Sequence, residues 1–150
     1  MAINPLSNSS SPNPTQQASR GVKRPALDPI GQQLSEALAF YLRGRTFPLN
    51  SSESFSCFKS AADLGHIDSM FRVGLAFHYA LGAKQSFEDA AKYYSLASKN
   101  GHSLSYVQLG FLYDKGQGVL KSPESAFKHF KIAADIDVKE AYLPLGLAYI

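Results

Sequence analysis

Two histidines, one cysteine and a pair of close glycines are the residues of this chain whose types and spacing invite a chemical reading. His66 and His102 are candidate zinc ligands, but they share one repeat position a full 36 residues apart, so a shared metal would need further ligands that no recognisable ligand spacing offers. They read instead as histidines of a turn between helices, and no metal is expected. Cys57 stands beside the apolar Phe58 with no paired histidine to activate it, so the thiol reads as packing rather than as a nucleophile. Being the sole cysteine, it also excludes an internal disulfide framework, which is compatible with a reducing compartment. Gly116-Gln117-Gly118 lacks the third glycine of a dinucleotide fingerprint and ends a helix where that fingerprint would follow a strand. Neither a G-x-x-x-x-G-K-[ST] phosphate loop nor an H-E-x-x-H pair occurs. The expectation is a chain with no catalytic residue and no cofactor.

Charge narrows the partner. The net charge of +3 resides in the first fifty residues, whereas residues 51–150 carry ten basic and ten acidic side chains. A balanced region lacks the field that phosphate backbones require, so no nucleic acid is expected. No run of about 18 apolar residues predicts a membrane span, and no charged segment followed by an apolar one predicts a Sec-type signal. The chain reads as cytoplasmic, or as exported without a Sec-type signal.

Residues 1–29 hold five of the eight prolines among Ser, Asn and Gln, a composition too polar to offset its ordering entropy. A disordered tail is predicted there. Residues 1–19 contain no charged side chain and resemble bacterial type III or type IV export signals in composition; Gly21 to Asp28 has a weak likeness to a nuclear import signal.

The elements that must position everything else follow from an internal repeat. A shift of 36 residues superposes Phe58, Tyr94 and Phe130; Ala61, Ala97 and Ala133; Gly74, Gly110 and Gly146; and Phe77, Tyr113 and Tyr149. Gly65 matches Gly101, His66 matches His102, and Gly82 matches Gly118, without a gap from Ser51 to Ile150. Each unit reads as two helices. The first starts at a capping serine, Ser86 or Ser122, ahead of acidic residues or Pro123. Its apolar stripe is Ala90, Tyr94, Ala97 and Ser98, then Ala126, Phe130, Ala133 and Ala134 one period later. Gly65 and Gly101 stop that helix in a left-handed C′ conformation and a second helix follows. Gly74, Gly110 and Gly146 inside the second helix require a close approach, expected against the alanine pair of the first helix with Tyr113 and its equivalents over the seam. Gly116 to Val119 turns the chain into the next unit.

At these residues the sequence resembles the SEL-1-like repeat family, relatives of tetratricopeptide repeats. The matching motifs are A-x-x-x-[YF]-x-x-A-[AS], at Ala90 to Ser98 and Ala126 to Ala134, and L-G-x-x-Y-x-x-G-x-G-V, at Leu109 to Val119. The 36-residue period and the G-x-G-V turn favour this family over the 34-residue tetratricopeptide repeat. The resemblance implies an all-α fold, a right-handed α-α solenoid of about three helix-turn-helix repeats at 51–86, 87–122 and an incomplete 123–150. Residues 30–50 would form a capping helix or partial repeat, with Phe40, Tyr41 and Gly44 two periods ahead of Leu112, Tyr113 and Gly116. Three departures stand out: Asp137 at the stopping-glycine position, Pro144 inside a helix, and an uncapped end at Ile150, which leaves room for an end-to-end contact or a longer solenoid.

The implied function is a non-catalytic protein-protein interaction scaffold or adaptor that binds a protein or an extended peptide. The family's abundance in bacteria that live with eukaryotic cells adds the reading of a bacterial protein acting on a host. The alternative is the scaffold portion of a longer protein whose active domain lies beyond residue 150. In this family and its relatives the first helices line the concave side. The candidate contacts are Ser56 and Cys57, then Lys92, Tyr93 and Leu96, then Lys128, His129 and Ile132, which are expected to point away from the neighbouring helix. Lys92 and Lys128 are periodic equivalents, each followed by a ring, a row suited to an acidic or extended peptide.

Overall fold

The computed structural model describes residues 28–136. Of the tail predicted at 1–29, residues 1–27 lie outside the described residues, and with them the export-like stretch and all but Asp28 of the import-like one, while Pro29 is already helical; Asp137, Pro144, Gly146, Tyr149 and Ile150 lie outside as well. The chain divides at Gly31–Gln32 into two units. Of the first unit only residues 28–31 are described, and there the backbone N–H of Gly31 donates to Asp28 Oδ1. Six helices are present among the described residues and no strand: α1 (Pro29–Gly44), α2 (Ser52–Asp63), α3 (Ile67–Tyr79), α4 (Phe87–Lys99), α5 (Ser103–Lys115) and α6 (Pro123–Asp135).

Local chemistry sets the helix ends. Ser51, Ser86 and Ser122 are extended N-caps whose hydroxyls accept from the backbone N–H three residues on, at 3.1, 3.2 and 3.1 Å. Glu53, Glu88 with Asp89, and Glu124 stand in the first turns, where the helix dipole favours negative charge. Pro123 occupies the first turn of α6, where its missing N–H costs nothing. At the other end Gly65 and Gly101 take the left-handed φ of +96° and +94° expected of them. The N–H groups of His66 and His102 reach back to Ala61 and Ala97 at 3.0 Å, and those of Gly65 and Gly101 to Ala62 and Ser98 at 2.9 and 3.0 Å. This paired pattern closes both helices and launches the next.

Packing then runs from each helix to its successor, from α2 through α6. Tyr94, Leu112, Val73 and the columnar alanines Ala61, Ala97 and Ala133 are fully buried. One apolar cluster extends from Phe58 on α2 to Leu112 on α5, and a second joins Val107 on α5 to Ala126, Phe130 and Ala133 on α6.

Two features differ from the sequence expectation. The helix glycines face forward along the array rather than toward the alanine pair of their own unit. A Cβ at Gly74 would lie 2.6 Å from the Tyr94 ring, and one at Gly110 2.5 Å from the Phe130 ring. Each glycine is the seat of the aromatic ring from the next first helix. The second difference concerns the register of α1. Gly44 seats Phe58, with a Cβ there 2.9 Å from the ring, so it corresponds to Gly74 and not to Gly116. Likewise Tyr41 lies over His66 at 4.3 Å between centroids, as Phe71 lies over His102 at 4.3 Å. The offset at this end is 30 residues because the stretch from Gly44 to its seated ring, Phe58, is six residues shorter than that from Gly74 to Tyr94.

Candidate functional site

The first helices carry a repeated ridge. On α4 it is Glu88, Lys92 and Leu96; on α6 it is Glu124, Lys128 and Ile132; on α2 the same positions hold Ser52, Ser56 and Ser60. One-turn spacing aligns each set along one helix face. Charge and bulk therefore enter the ridge only from α4 onward.

A groove of roughly 420 Å3 lies beside the α4 ridge. Lys92, Tyr93 and Leu96 form one side, while Ala62, Asp63 and Gly65 from the end of α2, Met70 from α3 and Gln33 from α1 form the rest. Lys92 and Leu96 are exposed. Across from them Asp63 is paired with Lys59 at 3.1 Å, a contact that raises the Lys59 ammonium above its ordinary value. The walls thus offer a cation, a carboxylate and an apolar floor. Gln33 Nε2 donates to the carbonyl of Leu64 at 3.1 Å, and Asn100 Nδ2 donates to the carbonyl of Leu96 at 2.8 Å, which ties the groove's edges to their helices.

A second groove of roughly 450 Å3 lies between the end of α1 and α2. Phe40, Arg43 and Phe47 face Ser52, Glu53, Ser56, Cys57 and Ser60 there. Ser56 and Cys57 are therefore in one hollow and Lys92, Tyr93 and Leu96 in another.

The rings at Tyr93 and His129 do not point away from the neighbouring helix. Tyr93 stacks on Phe77 at 5.8 Å, and its periodic equivalent His129 stacks on Tyr113 at 5.1 Å and meets Tyr106 at 6.3 Å. His129 Nδ1–H also donates to the Ser125 carbonyl at 2.7 Å. Phe77 meets Phe55 as well, at 5.3 Å, so these rings bridge successive units. Lys128 is exposed and Ile132 half-buried on α6.

Two polar arrangements escaped the sequence reading. His66 and His102 are N-caps: His66 Nδ1 accepts from the Ser69 backbone at 3.2 Å and meets its hydroxyl at 2.8 Å, and His102 Nδ1 meets the Ser105 hydroxyl at 3.0 Å. The repeated H-x-x-S spacing is the signal that would have revealed them. Burial lowers His66 below the ordinary histidine value and so keeps the accepting nitrogen unprotonated.

The second arrangement is a clasp at Asp68. His102 Nε2 stands 3.5 Å from the carboxylate and Arg72 Nε 3.1 Å, and the Arg72 guanidinium in turn lies 5.6 Å from the Tyr41 ring centroid. Chiefly through His102, these contacts hold the carboxyl well below its usual range. Asp68, Arg72, His102 and Tyr41 together link the end of α1, the start of α3 and the start of α5. Elsewhere, burial pushes the Tyr94 hydroxyl far above its usual value, and this protonated hydroxyl meets His78 Nδ1 at 3.0 Å; burial lowers His78 in turn.

Among the described residues no group of three His, Cys, Asp or Glu side chains is placed to hold a metal, and no helix is long and apolar enough to cross a membrane. Stacked helix pairs, columnar glycine seats and inter-unit grooves define an all-α helical-repeat solenoid. Residues 34–66, 67–102 and 103–137 each match the Sel1 repeat model, and the chain belongs to the Sel1 repeat family. Those units are cut at the histidine caps, one helix out of phase with units counted from the serine caps.

Three solved structures share the fold. A Sel1 repeat protein from Oxalobacter formigenes superposes with a TM-score of 0.68 at 24% identity, over 89% of this chain and 55% of that one. A protective antigen of uropathogenic Escherichia coli with an SLR fold gives 0.66 at 23%, over 90% and 27%. Cysteine rich protein B of Helicobacter pylori gives 0.56 at 18%, over 76% and 95%. The chain therefore spans only about half and a quarter of the first two. No curated protein sequence matches it. Sel1-repeat proteins generally mediate protein-protein interaction, and their fold is typically a non-catalytic scaffold.

Proposed function

We propose that this chain is a protein-binding scaffold whose peptide seat is the groove between α2 and α4. The observation that carries this reading is the convergence of exposed Lys92 and Leu96 with Asp63 and Met70 around one hollow. Lys92 would receive an acidic group, Asp63 a basic or amide group, and Leu96 with Met70 an apolar side chain of an extended peptide. Lys128 and Ile132 would continue the contact along α6, while Tyr93 and His129 would hold the ridge in place through their stacking on α3 and α5.

Selection of displayed random peptides on the full chain, followed by titration of the enriched ones, tests the seat. Lys92→Glu combined with Leu96→Ala should weaken binding at least about tenfold, the effect of losing about 1.4 kcal/mol, with the melting temperature unchanged. Peptides that bind the folded double variant as tightly as the parent would refute it.

A second reading rests on the coverage of the solved relatives: the chain would be the scaffold portion of a longer protein. Its narrower form, a bacterial protein acting on a host, has support in the uncharged composition of residues 1–19. Fusion of residues 1–29 to a translocation reporter tests that form, and a reporter retained in the bacterium would count against it.

A further inference from the structure

The groove beside α4 has an order of charge along its length. Lys92 and Leu96 stand one turn, about 6 Å, apart on α4. Asp63 is the last residue of α2 as Lys99 is the last of α4, and the 36-residue repeat makes the two equivalent, so the carboxylate lies level with the end of α4, beyond Leu96. Met70 stands at that end too, because Asn100 Nδ2, which donates to the Leu96 carbonyl at 2.8 Å, is 4.0 Å from Met70 Sδ. The walls therefore run from a cation through an apolar stretch to a carboxylate.

Both charges can turn to a ligand. Among the described residues Lys92 is in no ion pair, and Asp63 pairs with Lys59 of its own helix through side chains that are 57% and 40% exposed. Exposed pairs of this kind contribute little, so a ligand's base can take the place of Lys59. The C-terminal end of α2 adds the negative pole of its dipole beside Asp63.

We propose, taking the peptide seat above as given, that the segment it holds is zwitterionic, with an acid and a base on either side of an apolar residue, and that Asp63 is the residue that turns acidic runs away. An extended chain brings a side chain to the same face about every 6.7 Å, close to the spacing of Lys92 and Leu96, so the acid and the apolar residue stand two positions apart. The base follows two positions further on, where its flexible stem reaches Asp63. A second acid there would face the Asp63 carboxylate and the negative end of α2, and like charges so placed exclude a wrong partner. The cationic row of Lys92 and Lys128 alone would favour acidic runs; Asp63 reverses that choice in this groove.

Peptides of the forms Glu-x-Leu-x-Lys and Lys-x-Leu-x-Glu, which allow either chain direction, test this when titrated on the full chain beside Glu-x-Leu-x-Glu. One of the mixed pair should bind at least about tenfold tighter than the di-acidic peptide. Asp63→Asn should bring the di-acidic peptide within about twofold of the mixed one, and Asp63→Lys should make it the tightest, with the melting temperature unchanged because the site is exposed. A parent chain that binds the di-acidic peptide as tightly as the mixed ones overturns the proposal, as does a preference for the mixed ones that survives in folded Asp63→Lys. So does a parent chain that binds peptides selected at random but none of these three. In each case the seat itself stands if Lys92→Glu with Leu96→Ala still abolishes binding of the selected peptides; if that double variant keeps them, the seat falls and its selectivity with it.

Discussion

At the residue scale the glycines of this chain fall into kinds that a sequence column does not distinguish. Gly101 has a φ of +94° and open space where a Cβ would stand, so its requirement is backbone conformation alone. Gly118 has a φ of +73° and, in addition, a Cβ there would run into the carbonyl group of Phe87 at the start of α4. Gly82 repeats the arrangement against Ser51. Alanine in the left-handed region costs about 1–2 kcal/mol, while a clash between backbone segments forces the turn itself to move. Gly101→Ala should therefore lose about 1 kcal/mol and Gly118→Ala about 3 kcal/mol or more, read by urea denaturation. Equal losses would show that Gly118 is required for its dihedral angle only. The exposed Ala80, at φ +57° where the next unit has Gly116, already bears the conformational cost in mild form.

At the scale of the element, the start of α3 is what couples the fold to pH. His66 caps this helix through an unprotonated Nδ1, and burial lowers its proton affinity below that of a histidine in the unfolded chain. As pH falls the unfolded state takes up the proton first, so the cap's contribution is whole above about 6.5 and is lost as pH drops below that toward the folded-state value. His78, lowered for the same reason, acts in the same direction. The Asp68 carboxyl itself does not titrate in this window, because its contacts hold it well below its usual range. Melting temperature should fall between pH 7 and pH 5 in the parent chain. The fall should be smaller in His66→Asn, since asparagine caps without titrating. An identical pH slope in that variant would place the titration elsewhere.

On the scale of the whole molecule, the two apolar clusters meet at α5, which contributes Leu109 and Leu112 to one and Val107 to the other. A solenoid's stability is close to a sum of units and neighbour interfaces, so damage to one interface should stay local. Phe130 is the ring seated on Gly110 and the largest member of the second cluster. Phe130→Ala should cost about 3–5 kcal/mol at that interface. Native-state hydrogen exchange should then speed up in α6 and the adjoining face of α5 while α3 and α4 keep their slow amides. A uniform acceleration across all helices would instead mark the described units as one cooperative block.

How much of this was legible beforehand follows from what a period contains. The serine caps at Ser86 and Ser122 and the stopping glycines are local signals, each carried by residues within a turn or two of one another, and the 36-residue columns show the same two-helix unit recurring along the chain. They were enough to identify the repeat family and an all-α array. Periodicity is blind, however, to which side of a column a residue faces, because every helix in the stack has a neighbour before it and another after. That is why Gly74 and Gly110 prove to seat the following ring, why Tyr93 and His129 turn toward α3 and α5, and why α1 joins at an offset of 30. Lys92, Tyr93 and Leu96 were readable as a ridge. Only the packing of α2 against α3 and α4 brought Asp63 and Met70 across from them, since residues thirty positions apart meet through tertiary contact alone.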